Sequence, residues 1–244
     1  MLAGCVASLA VAGAVYVDCS VWGVCIAVFV VCCALAYLAV NSVAVRTHAK
    51  YLSVLYLAMK PRDFIRLYEE LTGTKKLRPN VRFTVNGYLC DAYAAAGEFK
   101  KALAILDAAP EIRGRQGEKA RSIAAAKRCS IYLFTGDTDK AEKQLELVTS
   151  DKELVGIQSK EMLCVRLSCR RGSCTEADAD AIRESFKQCS LPLNRAEMNF
   201  LSAAAYLRLG KRQLAEQYLT EAAKAGEQLW ISRKAQEMRK KPTI

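Results

Sequence analysis

The sequence predicts an all-α protein, an N-terminal membrane helix or helical hairpin followed by a stacked array of antiparallel helix pairs. Three observations predict it. Residues 1–45 hold one charged side chain, Asp18, whereas all 36 lysines and arginines of the 244-residue chain come later. Four glycines, Gly97, Gly136, Gly172 and Gly210, recur at separations of 39, 36 and 38 residues with helical sequence on both sides. No stretch of useful length alternates apolar and polar residues as a half-buried strand does.

The N-terminus comes first. Residues 2–17 and 21–45 are two apolar runs separated by Asp18-Cys19-Ser20. A single helix of that combined length would be about twice what roughly 30 Å of hydrocarbon requires. Two membrane helices joined at Asp18 are the preferred reading, with a single span over 21–45 as the alternative. The small residues Gly4 and Gly13 suit close helix pairing in a membrane. Arg46, His48, Lys50, Lys60, Arg62 and Arg66 follow the second run, and no basic residue precedes either run. The positive-inside rule therefore places the C-terminal part in the cytoplasm.

Charge points the same way. After residue 45, 36 basic residues stand against 24 acidic ones, Asp18 being the twenty-fifth, which gives +12. Such a surface favours anionic neighbours. Lys60, Arg62, Arg66, Lys75 and Lys76 are candidates for contact with anionic lipid. A second basic cluster, Arg113 to Arg128, suits an acidic partner. The eleven cysteines are odd in number and scattered through a chain too large for a disulfide scaffold, so the soluble part reads as occupying a reducing compartment.

The repeats carry more detail. Each glycine is followed five residues on by an alanine: Ala102, Ala141, Ala177 and Ala215. Tyr93, Tyr132 and Tyr206 stand four residues before three of the glycines, with Ser168 in the remaining copy. Glycine at such a turn allows a left-handed backbone at no steric cost. The alanine falls in the first turns of the next helix and lets it approach its partner. A degenerate fifth copy runs through Tyr56, Lys60 and Ile65, with Pro61 opening its second helix. Glu227–Lys240, carrying Trp230, Ile231, Ala235 and Met238, reads as a terminal capping helix, which stacked repeats require.

These residues resemble the tetratricopeptide repeat (TPR) family, most closely at Tyr88–Pro110 through Tyr93, Gly97, Phe99, Ala102, Leu106, Ala109 and Pro110. The copy around Gly172 departs most, with Ser168 and Cys174 where the family has aromatic residues. The resemblance implies a right-handed α-solenoid of four to five repeats over residues 46–226, which the apolar anchor of 1–45 precedes and a capping helix and tail over 227–244 follow. It also implies a concave groove lined by the first helix of each pair. The family's groove positions fall on Asp91, Ala94, Ser130, Leu133, Met162, Arg166, Phe200 and Leu207, with Arg170 close by. The family's carboxylate-clamp residues are not reproduced.

No catalytic constellation emerges. The single histidine, His48, removes any Ser-His or Cys-His nucleophile from the repeats and any zinc site needing two histidines. Cys164, Cys169 and Cys174 lack the close pairing of a CxxC motif, and Gly73-Thr74-Lys75 lacks the frame of a phosphate loop. No cofactor or metal is expected. Neither a one-base-per-repeat code nor spaced aromatics argue for nucleic acid. The expected function is a non-enzymatic, membrane-anchored adaptor that binds a partner protein. The alternatives are a structural or regulatory subunit of a larger membrane complex, and a basic repeat protein binding anionic lipid or RNA.

Overall fold

The computed structural model describes residues 22–73, 76–149, 154, 158–187 and 189–240. Among these the chain is all helical, with eleven helices and no strand. They are α1 Trp22–Tyr56, α2 Pro61–Thr72, α3 Pro79–Ala96, α4 Phe99–Asp107, α5 Arg115–Thr135 and α6 Thr138–Glu146. The series continues with α7 Lys160–Arg170, α8 Glu176–Lys187, α9 Pro192–Arg208, α10 Arg212–Ala223 and α11 Trp230–Lys240. Two units are distinguished, one reaching Tyr51 and the other beginning at Leu52.

In the first unit, α1 presents Ile26, Val30, Leu35, Leu38 and Val43 to the outside, each about half exposed or more. From Ile26 the helix is long and apolar enough to cross a membrane. It does not stop at Val45, where the apolar run ends, but at Tyr56. The expected first run, residues 2–17, and the turn at Asp18 lie outside the described residues.

In the second unit, helices pack chiefly on their neighbours in sequence, α3 on α4, α5 on α6 and α9 on α10. The turns follow from the glycines. Gly97, Gly136, Gly172 and Gly210 have φ of 86°, 87°, 89° and 72°. In each, the amide after the glycine donates to the carbonyl four residues before it: Glu98 to Tyr93, Asp137 to Tyr132, Ser173 to Ser168 and Lys211 to Tyr206, at 2.8–3.2 Å. This is the closing bond of a Schellman turn. The earlier turn is different: Met59, not Lys60, takes the positive φ, at 54°.

Ala102, Ala141 and Ala215 are fully buried at the start of α4, α6 and α10. Ala177 is not; it is exposed, and Ala179 fills the buried place in α8. The cause is local. Thr175 donates its N–H and hydroxyl to Asp178 Oδ2, both at 2.8 Å, and this cap delays α8 to four residues after Gly172. The other three second helices begin two residues after their glycine. A two-residue delay carries the buried position from 177 to 179.

Two apolar clusters fill the interior. Ala126, Cys129, Leu133, Ala141, Leu163 and Leu167 unite α5, α6 and α7. Met162, Cys169, Ala179, Ile182, Met198, Tyr206 and Ala215 unite α7 through α10. Burial of the leucine, isoleucine and methionine side chains among them contributes about 1.5–3 kcal/mol each.

Candidate functional site: a face linked by polar bonds near the glycine spacing

The odd-numbered helices share one face, and polar bonds stitch it together at the repeat spacing. Tyr56 donates to Asp91 Oδ2 at 2.9 Å, and Lys127 Nζ lies 2.5 Å from Asp91 Oδ1. Arg166 Nη1 donates to Ser130 Oγ at 2.9 Å. Arg170 reaches the carbonyl of Phe134 at 3.4 Å, and Arg208 reaches those of Cys169 and Arg170. The partners are 35 to 39 residues apart. Asp91, Ser130 and Arg166 each stand six residues before a glycine turn, and Phe134, Arg170 and Arg208 each stand two before. Equivalent positions of successive first helices are therefore neighbours.

Two small cavities of about 50 Å³ each open on this face. One lies among Tyr56, Asp91, Ala94, Lys127, Ser130, Leu193 and Glu197, so the end of α1 and the start of α9 meet across it. The other is lined by Leu133, Phe134, Arg166, Arg170, Phe200, Leu201, Ala204 and Arg208. Seven of the nine groove residues expected from the sequence thus line these two cavities. Met162 and Leu207 do not: Met162 is buried in the α7–α10 cluster, and Leu207 packs against the same cluster. Leu207 is one residue from Arg208, a rotation of about 100° around the helix.

The electrostatics of this face reflect burial of charge. Burial pushes the Glu197 carboxyl up to about 7, only partly opposed by Arg166. Burial also lowers Arg166 to about 10 despite Glu197, and its guanidinium lies 4.8 Å from the centre of the Phe134 ring. Arg170 is lowered by burial and then by the positive charge of Arg208. For Lys127 burial acts downward, but Asp91 together with Cys90 and Tyr88 overrides it and the net shift is upward. Like charge adds to burial in lowering Arg166, beside Arg170, and Arg170, beside Arg208.

The C-terminal helix closes part of the face. Trp230, at the start of α11, packs edge-on against Phe99, Phe134 and Phe200 with ring centroids 5.1, 5.4 and 5.5 Å away. Arg233 donates to the carbonyl of Ala96 at 2.9 Å. On its other side α11 buries Ile231, Ser232 and Ala235, and Ser232 donates to the carbonyl of Ala222 at 2.8 Å. The helix thus packs on α10 and also returns to α3. Sequence reading found the helix and its apolar residues but not this return, nor the parts played by Lys127, Glu197 and Arg208. Lys127 lies 36 residues after Asp91 with the opposite charge, about one helical turn before the equivalent position Ser130.

The basic residues are dispersed. Lys60, Arg62, Arg66 and Lys76 are exposed, and Lys75 lies outside the described residues. Arg62 and Arg66 share a shallow depression with Glu69, Glu70 and Glu98, so positive charge there is interleaved with negative. In the Arg113–Arg128 cluster, Lys127 is committed to Asp91 and Arg128 to Asp107 at 2.8 Å. A larger cleft of about 550 Å³ lies between Phe83, Leu106, Ile112, Ala120, Arg121 and Leu147.

Compared with protein-family models, curated proteins and solved structures, the chain matches none.

Proposed function

We propose that this chain is a non-enzymatic, membrane-anchored adaptor. In this reading residues 46–226 form a right-handed TPR-like solenoid on the cytoplasmic side of the membrane, and its inner face takes a segment of a partner protein. The observation that carries the reading is the pocket in which Arg166, Arg170 and Arg208 converge among Leu133, Phe200 and Ala204. None of its lining residues is acidic. Such a site suits an acidic side chain flanked by an apolar one. The polar bonds recurring at the repeat spacing support the solenoid, because stacked repeats bring equivalent positions side by side.

Trp230 narrows what can enter. With the indole seated on Phe99, Phe134 and Phe200, the arginine pocket admits a side chain or a short extended segment, not a whole helix. The anchor would raise the local concentration of partners lying at the same membrane. Arg46, Lys50 and the basic residues after them support the cytoplasmic side.

The test is co-purification of the full chain in mild detergent, with Arg170→Glu as the probe. Arg170 is preferable to the deeply buried Arg166, whose reversal would also disturb packing. A stoichiometric partner lost on Arg170→Glu supports the reading. A partner that survives Arg170→Glu but is lost when residues 1–45 are exchanged for an unrelated anchor contradicts the inner-face site and favours assembly through the membrane segment.

A further inference from the structure

We infer that Cys169 and Cys174 form a reactive dithiol that exchanges with low-molecular-weight disulfides of the glutathione type, closing an intrachain bridge across the third glycine turn. Both thiols are free, and their Sγ atoms lie 2.7 Å apart, well inside the contact distance of unbonded sulfurs. The backbone holds them there. Ser173 N–H donates to the Ser168 carbonyl at 3.2 Å, and Ser168 Oγ donates to the Ser173 carbonyl at 3.3 Å. This clamps the residues immediately preceding the two cysteines. A disulfide holds its sulfurs about 2.05 Å apart, so Sγ atoms already at 2.7 Å have little farther to travel.

The two thiols differ in access. Cys174 is partly exposed, whereas Cys169 is 7% exposed and belongs to the α7–α10 core. Burial, and then Cys174 and Asp178, push the Cys169 thiol up, so the first attack falls to Cys174 and not to Cys169. In the first step the Cys174 thiolate attacks one sulfur of the external disulfide. A protein–glutathione S–S bond forms and one glutathione thiolate leaves. Cys169 then loses its proton to solvent; burial and Asp178 oppose that loss, and the positive charge of Arg208 offsets them only in part. Its sulfur attacks Cys174, and the second glutathione leaves. The protein loses two hydrogens and gains one S–S bond, while the external disulfide is reduced to two thiols. In a reducing compartment such a bond is transient and reports redox state.

Asp178 completes a trio whose ligand atoms all lie within 4.8 Å of one another, so a thiophilic metal is the competing occupant. The geometry favours the dithiol. Asp178 Oδ2 already accepts two bonds from Thr175. Two thiolates on tetrahedral zinc, with bonds of about 2.3 Å, stand about 3.8 Å apart, farther than these sulfurs.

The experiment uses the full chain in detergent micelles, equilibrated in glutathione buffers from reducing to oxidising. Acid quenching, alkylation and peptide mass mapping then follow. The expected result is loss of two hydrogens from the Cys169–Cys174 peptide under oxidising conditions, regained on reduction, with Cys90 and Cys129 unchanged. In Cys169→Ser the glutathione adduct should accumulate on Cys174; in Cys174→Ser, Cys169 should remain a thiol. Because Cys169 is a core residue, the partly exposed Cys174→Ser, checked for a native melting curve, provides the deciding comparison. Wild-type thiols that stay alkylatable in excess oxidised glutathione would overturn the inference. So would a Cys174 adduct that never resolves, or stoichiometric zinc that protects both thiols.

Discussion

Trp230 lies so close to Gly97 that an ideal Cβ on the glycine would stand 2.7 Å from the indole Cδ1 and 2.9 Å from the tryptophan Cβ. At Gly136, Gly172 and Gly210 a Cβ would meet nothing within 4 Å. The four glycines serve the same left-handed turn, yet only Gly97 is also a seat for another helix.

This separates two costs that a glycine substitution usually mixes. Gly136→Ala should destabilise by about 1–2 kcal/mol, the strain of a left-handed backbone with a Cβ. Gly97→Ala should cost a further ~1–3 kcal/mol, because the indole must move out of a packed site. Urea denaturation measures both. In a Trp230→Gly background, which removes both the indole and the Cβ at 2.9 Å, the excess at Gly97 should vanish, whereas the cost at Gly136 should not change.

The Asp91–Lys127 pair links α3 to α5 where neither side chain is well solvated. Asp91→Ala should destabilise by about 3 kcal/mol, since it leaves the lysine charge without its nearest counter-charge. Replacing both, as in Asp91→Ala with Lys127→Met, should recover most of that loss. A double-mutant cycle by thermal denaturation provides the coupling energy. Strict additivity of the two single changes would show that the pair is not coupled.

Glu197 should make stability depend on pH in the direction opposite to a salt-bridged carboxylate. Its folded-state pKa is raised to about 7, above the ordinary 4.5. Between these values the folded chain binds more protons than the unfolded chain, so the contribution of this group to stability falls as pH rises through the window. It is least unfavourable below 4.5 and fully unfavourable above 7. Glu197→Gln should stabilise the protein at pH 8 by of order 2 kcal/mol. At pH 5 it should have little effect. Melting temperatures of both proteins across that range check the prediction.

What the sequence revealed, and what it did not, has physical causes. The glycine turns were legible because a positive φ favours glycine, whereas the earliest turn, where Met59 takes it, carried no such mark. Pro61, Pro79 and Pro192 likewise open α2, α3 and α9, where a missing N–H does no harm. The register of α8 was not legible, because a two-residue Thr175–Asp178 cap shifts it without disturbing the glycine-to-alanine spacing. Asp91, Ser130, Arg166 and Arg170 could be assigned to one face since they recur at fixed distances from a turn. Trp230 could not be, because its contacts with Phe99 and Phe134 span about a hundred residues or more with no periodic signal. Glu197 and Arg208 also required the structure, since only the placing of α9 beside Asp91 and Arg166 brings them to the two cavities.

The most direct test of a cytoplasmic repeat domain on a membrane anchor uses Cys164, the exposed thiol of α7. Cells expressing the full chain would be treated with a membrane-impermeant maleimide before and after permeabilisation, and the Cys164 peptide followed by mass spectrometry. The account predicts no labelling in intact cells, full labelling after permeabilisation, and retention of the protein in the membrane fraction. Labelling of Cys164 in intact cells would place the repeats outside and contradict the account.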